Sequence, residues 1–160
     1  MISRLAMLPL LVALATAPLA AKDSLGVYSG WAAFRDAEVP RCYAIAQTSG
    51  RGSAQGYISV ATWPKRGVRG QVHLRLSRPL AQNARARLAI GTRRFDLITR
   101  GQDAWGADKG QDAAIIAAMR SSTRMSVSAS AANGQRFTDR YALEGAATAM
   151  DASLVGCADL

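Results

Sequence analysis

Residues 71–78 alternate strictly: Val72, Leu74 and Leu76 are apolar, and Gln71, His73, Arg75 and Ser77 between them are polar. A period of two sends successive side chains to opposite faces of an extended chain, so this segment buries one side as a half-wet β-strand. The same alternation sets Ala86, Leu88 and Ile90 against Arg85 and Arg87, and sets Met125, Val127 and Ala129 against Ser126, Ser128 and Ser130. Segments 27–35, 41–47, 56–62, 94–99 and 136–143 are further strand candidates with looser alternation.

Turn chemistry links these strands. Pro64-Lys65-Arg66-Gly67 suits a type I turn. Asn133-Gly134 is a strong two-residue hairpin signal, and Ile90-Gly91-Thr92-Arg93 reads as another hairpin. Two segments are helical instead. Asp112 can cap 113–120, where Ile115, Ile116 and Met119 share a face. Residues 146–155 place Ala147, Met150 and Leu154 at helical spacing, with Gly156 as the expected stop. Many short strands and two short helices predict a mostly β fold: an antiparallel β-sandwich or partly closed barrel.

The N-terminus carries Arg4, then an apolar run from Leu5 to Ala15, then small residues at Ala17, Ala20 and Ala21. This is the pattern of a secretory signal peptide over 1–21, cleaved after Ala20 or Ala21. The alternative, an uncleaved anchor, calls for roughly 20 apolar residues, and this run is shorter. The remainder, 22–160, suits a single β-rich domain in the periplasm or secreted, with no transmembrane segment. Export also places Cys42 and Cys157 where a disulfide forms and persists; two free buried thiols are the alternative. Two distant cysteines and one histidine, His73, do not make a metal site, and no cofactor motif stands out.

Formal charge is +9, unevenly spread: no acidic residue lies between Glu38 and Asp96, whereas eleven lysines and arginines do. A basic stretch ordinarily suggests nucleic acid. Export argues against that partner and favours an anionic envelope polymer or a protein partner, with a solvated basic surface as the plain alternative. Arg66, Arg69, Arg75, Arg78, Arg85 and Arg87 are the candidate anion-binding residues. If the strands of Arg75, Arg85 and Arg87 are neighbours, their guanidinium groups form a stripe suited to phosphate or carboxylate. Tyr57 and Trp63 can add stacking surface, or pack at the rim of the core.

Other chemistry is thinly signalled. His73 falls on the polar side of its strand, with no nucleophile elbow in the chain, and reads as an exposed structural residue. Gly50, Gly52 and Gly56 precede a strand rather than a helix, which makes 49–56 a loop and not a phosphate cradle. Asp103, Asp108 and Asp112 flank Trp105 without the ligand spacing of a calcium loop. Carboxylate pairs of a glycosidase are defined by separation in space and cannot be assigned from sequence.

The segments Gly30-Trp31-Ala32-Ala33-Phe34-Arg35-Asp36 and Arg41-Cys42-Tyr43-Ala44 resemble the opening of the invasion-associated locus B family of exported bacterial proteins. Residues 112–119 (DAAIIAAM), Met125-Ser126-Val127 and 140–150 (RYALEGAATAM) resemble its later order of short helix, strand and closing strand before a terminal helix. Many members carry an extra cysteine after the first tryptophan, where Phe34-Arg35 stand here. The resemblance covers most of 22–160, rests on packing and turn positions, and implies a Gram-negative periplasmic or envelope location. The combined expectation is a non-enzymatic envelope protein; the alternative is a periplasmic hydrolase or carbohydrate-acting enzyme.

Overall fold

The computed structural model describes residues 22–50 and 54–160. The expected signal peptide and its cleavage site lie outside the described residues, as do Arg51 and Gly52 of the 49–56 loop. In chain order the elements are β1 (Asp23–Tyr28), β2 (Trp31–Asp36), β3 (Arg41–Gln47), β4 (Tyr57–Trp63), a 3-10 turn (Pro64–Arg66), β5 (Val68–Arg75), β6 (Ala86–Ile90), β7 (Arg93–Arg100), β8 (Asp103–Trp105), α1 (Lys109–Arg120), β9 (Arg124–Ser130), β10 (Arg136–Ala142) and α2 (Ala146–Gly156).

All ten strands join one antiparallel sheet in the order β1-β2-β3-β4-β5-β8-β7-β6-β9-β10. The fold is therefore mostly antiparallel β with two short helices, and the sheet stays open. It bends at β7, which pairs through Arg93–Leu97 with β6 and through Ile98–Arg100 with β8. A strand that changes partner half-way lets the sheet turn a corner. Both halves consequently face one hydrophobic cluster, from Trp31, Ile58, Val72 and Leu74 to Leu88, Val127, Phe137 and Tyr141. The end of the sheet returns to its beginning: Ser49 N donates to Arg140 O at 2.7 Å, and Trp31 Nε1 donates to Ala142 O at 2.9 Å.

Helix α2 lies on the inner side of β1, β2 and β3, and the Cys42–Cys157 disulfide pins its end to β3. The approach is close. Gly145, at φ +83°, starts the helix so near Tyr28 that a Cβ there would sit 1.9 Å from the Tyr28 carbonyl oxygen.

Several local expectations change. The 27–35 candidate is two strands, because Ser29 takes φ +54° and Gly30 follows it into a hairpin. Asn133-Gly134 does not occupy the two central turn positions. Gly134 N bonds Ala131 O, Gly134 alone has positive φ (+79°), and the loop is a type I turn followed by a glycine bulge. Asp108, not Asp112, caps α1, accepting from Gln111 N at 2.8 Å. Asp112 is buried in the first turn, where it accepts the Val72 N–H at 3.3 Å. Gly156 ends α2 from inside it, with Cys157 as the cap. Residues 103–105, not among the strand candidates, form β8.

Candidate functional site

The side chains opposite the core decide what the sheet can bind. Across β3, β4, β5, β8 and β7, the register aligns Ile45, Ser59, His73, Trp105 and Ile98 in one outward row. The row on one side of it carries Tyr57, Arg75 and Asp103; the row on the other carries Phe34, Tyr43, Ala61 and Gln71. Ser59 and Ala61 are small and the rings around them are large. The result is a groove of about 580 Å³ with Ser59 and Ala61 among its lining and Tyr43, Tyr57, Trp63, His73 and Trp105 as its rings.

Its polar groups are held in place. His73 Nε2 lies 2.9 Å from Asp103 Oδ1, and Arg75 Nη1 donates to both oxygens of the same carboxylate at 3.2 and 3.0 Å. The imidazole packs edge-on to Tyr57 at 5.7 Å between centroids, and tilted against Trp105 at 5.3 Å. His73 is half-buried by this packing, not exposed as its strand parity suggested. Asp103 reaches the site because β8 is tied to the end of β5: Leu76 N donates to Gln102 O at 2.9 Å and Gln102 Nε2 to Leu76 O at 2.7 Å. At the other end of the groove, Arg41 stacks over Tyr43 at 5.0 Å and pairs with Asp36 at 3.4 Å. The Asp36 carboxyl is held below its ordinary pKa, first by the Val39 N–H and, against the opposing effect of burial, by Arg41.

Half-exposed rings on neighbouring strands form a rigid platform. The negative face of an aromatic ring attracts the polarised C–H groups of a saccharide, and fixed His, Asp, Arg and Gln side chains can pair its hydroxyls. Strand-borne sites hold such geometry better than loops do.

The arginine candidates are distributed differently from a stripe. Arg75 on β5 is separated from Arg85 and Arg87 by β8 and β7. Arg75 is paired with Asp103, and Arg87 with Asp96 at 2.9 Å. Arg66 belongs to the exposed 3-10 turn, Arg69 is exposed near the start of β5, and Arg78 lies 5.9 Å over the Phe137 ring. The three aspartates also part company: Asp103 serves the groove, Asp108 caps α1, and Asp112 is buried against β5.

Tyr43, His73 and Trp105, with Asp103 behind His73, are among the groove residues that sequence reasoning did not assign to a site. A signal was present in 41–47, where the bulky Tyr43 and Ile45 share one parity and Cys42, Ala44 and Ala46 the other. Small residues on the inner side mark where a helix presses close, and they leave the larger side chains facing out. No family model, curated protein or solved structure matches the chain. Among the described residues, no helix is long and apolar enough to cross a membrane.

Proposed function

We propose that this chain is an exported, non-enzymatic protein of the bacterial cell envelope that binds the glycan part of an envelope polymer in the groove of β3, β4, β5 and β8. The observation that carries the reading is the ring-lined groove, with Ser59 and Ala61 among its lining and polar groups held at fixed distances. Export and envelope location rest on the signal-peptide pattern and on the resemblance to the invasion-associated locus B family. The Cys42–Cys157 disulfide is compatible with an oxidising compartment.

A hydrolase is the second reading, favoured by one feature: Ser59 stands directly across from His73, which contacts Asp103. Two observations weigh against it. Ser59 Oγ makes no hydrogen bond to His73 among the described residues. Strand β4 is also laddered on both sides by β3 and β5, so the amides around Ser59 are engaged and offer no oxyanion donors.

The test is retention of the oxidised protein on peptidoglycan and lipopolysaccharide across a salt series. Trp105→Ala is compared with a triple Arg75→Gln, Arg85→Gln, Arg87→Gln variant. The groove reading expects Trp105→Ala to weaken retention about tenfold or more at every salt concentration, as loss of a stacking ring does. Loss confined to the arginine variant, and abolished by salt, returns the function to the basic residues. Release of soluble fragments from either polymer supports the hydrolase.

A further inference from the structure

The other half of the sheet carries a second outward row. Arg140 on β10 pairs across with Ser126 on β9, Ser126 with Ala89 on β6, and Ala89 with Arg94 on β7. Two arginines therefore stand at the ends of a row whose middle is small, separated by three strand spacings, roughly 14 Å at the backbone. Arg124 lies two residues along β9 from Ser126, on the same face. The loop 121–123 and Ser49 wall the space into a hollow of about 710 Å³, with no carboxylate in its lining.

Of the fifteen arginines among the described residues, four are neutralised by an aspartate and these three are not. Arg41, Arg75, Arg87 and Arg120 are each paired with an aspartate, whereas Arg94, Arg124 and Arg140 have no carboxylate partner among the described residues. Arg94 is already positioned: its Nη1 donates to Gly91 O at 3.0 Å and Arg93 O at 2.9 Å, at the turn that rims the hollow. Nε and Nη2 remain to donate. Ser122 comes close to the same turn, its Oγ 3.2 Å from where a Gly91 Cβ would be. A cluster of unneutralised cations at the walls of a concave, hydroxyl-bearing site fits an anion with several acceptor oxygens.

The geometry points to a second binding site, for a phosphate ester, formed by Arg94, Arg124 and Arg140 around Ser126. It is independent of the groove reading, since it lies on different strands and uses different chemistry. The volume exceeds that of a bare phosphate, so the ester belongs to a phosphorylated saccharide or to an anionic lipid headgroup.

The experiment titrates pyrophosphate and a hexose phosphate into the full chain, followed by amide chemical shifts. In parallel, it measures sedimentation with phosphatidylglycerol and phosphatidylcholine vesicles. Arg94→Gln, Arg124→Gln and Arg140→Gln are each expected to weaken binding about tenfold or more, the loss expected for a charge-assisted contact. Arg85→Gln, exposed and outside the row, is expected to change it by less than about twofold. A response to hexose phosphate assigns a saccharide source, and binding to phosphatidylglycerol vesicles alone assigns a lipid; in either case the three variants must lose it. The proposal is overturned if the variants bind like the parent protein, or if shifts spread evenly over every exposed arginine.

Discussion

The two outer faces of one continuous sheet are built by the same alternation and end in opposite chemistry. Over β3, β4, β5 and β8 the outward positions hold Tyr43, Tyr57, His73 and Trp105; over β6, β7, β9 and β10 they hold Arg87, Arg94, Ser126, Ser128 and Arg140. The inner faces explain the difference. Helix α2 presses on β1–β3, and beyond Trp31 at the start of β2 the inner apolar side chains of β2 and β3 are small: Ala33, Cys42, Ala44 and Ala46. Helix α1 packs mainly on β5 and touches β6 and β7 less, so among the described residues Leu88, Ile90, Phe95, Met125, Val127 and Phe137 supply most of the volume of the second half themselves. Close packing demands that the interior be filled from one source or another. Where a helix fills it, the bulky residues of the strands are free to face outward and become a binding surface.

The comparison breaks most severely if the first half loses its helix. Reduction, or Cys42→Ala with Cys157→Ala, frees the end of α2 and opens a loop spanning 115 positions of sequence. The expected loss is about 4–5 kcal/mol in the chain-entropy account, read as a lowered urea midpoint. Hydrogen exchange then distinguishes the halves: amides of Ala44 and Ala46 should lose protection before that of Val127. Equal loss at all three makes the sheet one cooperative unit, and the contrast between its faces purely chemical.

A crossed pair of substitutions sharpens the chemical contrast. Trp105→Ala should weaken glycan retention about tenfold or more while leaving pyrophosphate binding within about twofold. Arg140→Gln should do the reverse, with its phosphate binding falling steeply as salt rises. Loss of both ligands in either variant would merge the groove and the hollow into one site.

Much of this architecture was legible, and what was not has identifiable physical causes. Alternation located β5, β6, β9 and the cores of β3, β4, β7 and β10, because a half-buried strand must alternate. It missed β8, since three residues are too few to show a period and Asp103-Ala104-Trp105 gains its strand from partners on both sides. Parity placed Arg75, Arg85 and Arg87 correctly outward. Parity carries no information on strand order, so it could not show two strands lying between Arg75 and Arg87. Nor could it reveal that Asp103 of β8 pairs with Arg75, while Asp96 pairs with Arg87 across the β6–β7 hairpin. The phosphate hollow was equally hidden, because Arg94, Arg124 and Arg140 share a face only after β6, β7, β9 and β10 are placed side by side.

Helix α1 offers a finer test, for it is held to β5 of the aromatic half through Asp112. Burial raises the pKa of this carboxyl above its ordinary value, against the lowering effect of the Val72 N–H, and Asp108 raises it further. A raised folded-state pKa makes the stabilising contribution complete below the unfolded value of 3.8 and lost as pH rises through the folded value. Asp112→Asn keeps an acceptor for Val72 without the charge. It should be more stable than the parent at pH 7, with the difference closing towards pH 3. Asp112→Ala leaves the Val72 amide unpaired and should cost about 1–3 kcal/mol at either pH, measured by denaturant unfolding.

The smallest effect contrasts the one large aromatic with a polar handle that each half buries deepest. Trp31 on β2 and Tyr141 on β10 are both 1% exposed. Trp31 Nε1 donates to Ala142 O, but the Tyr141 hydroxyl has no partner among the described residues. Burial, with the nearby Asp139 charge, pushes the ionisation of that hydroxyl far upward, so it stays neutral across the working range of pH. An unpaired buried hydroxyl contributes a desolvation cost and nothing in return. Tyr141→Phe should therefore leave stability unchanged or raise it by up to about 1 kcal/mol, seen as an equal or higher thermal midpoint. A clear loss on Tyr141→Phe would mean that a buried water pairs the hydroxyl, so that the second half, like the first with Trp31, satisfies the polar handle of its deepest aromatic.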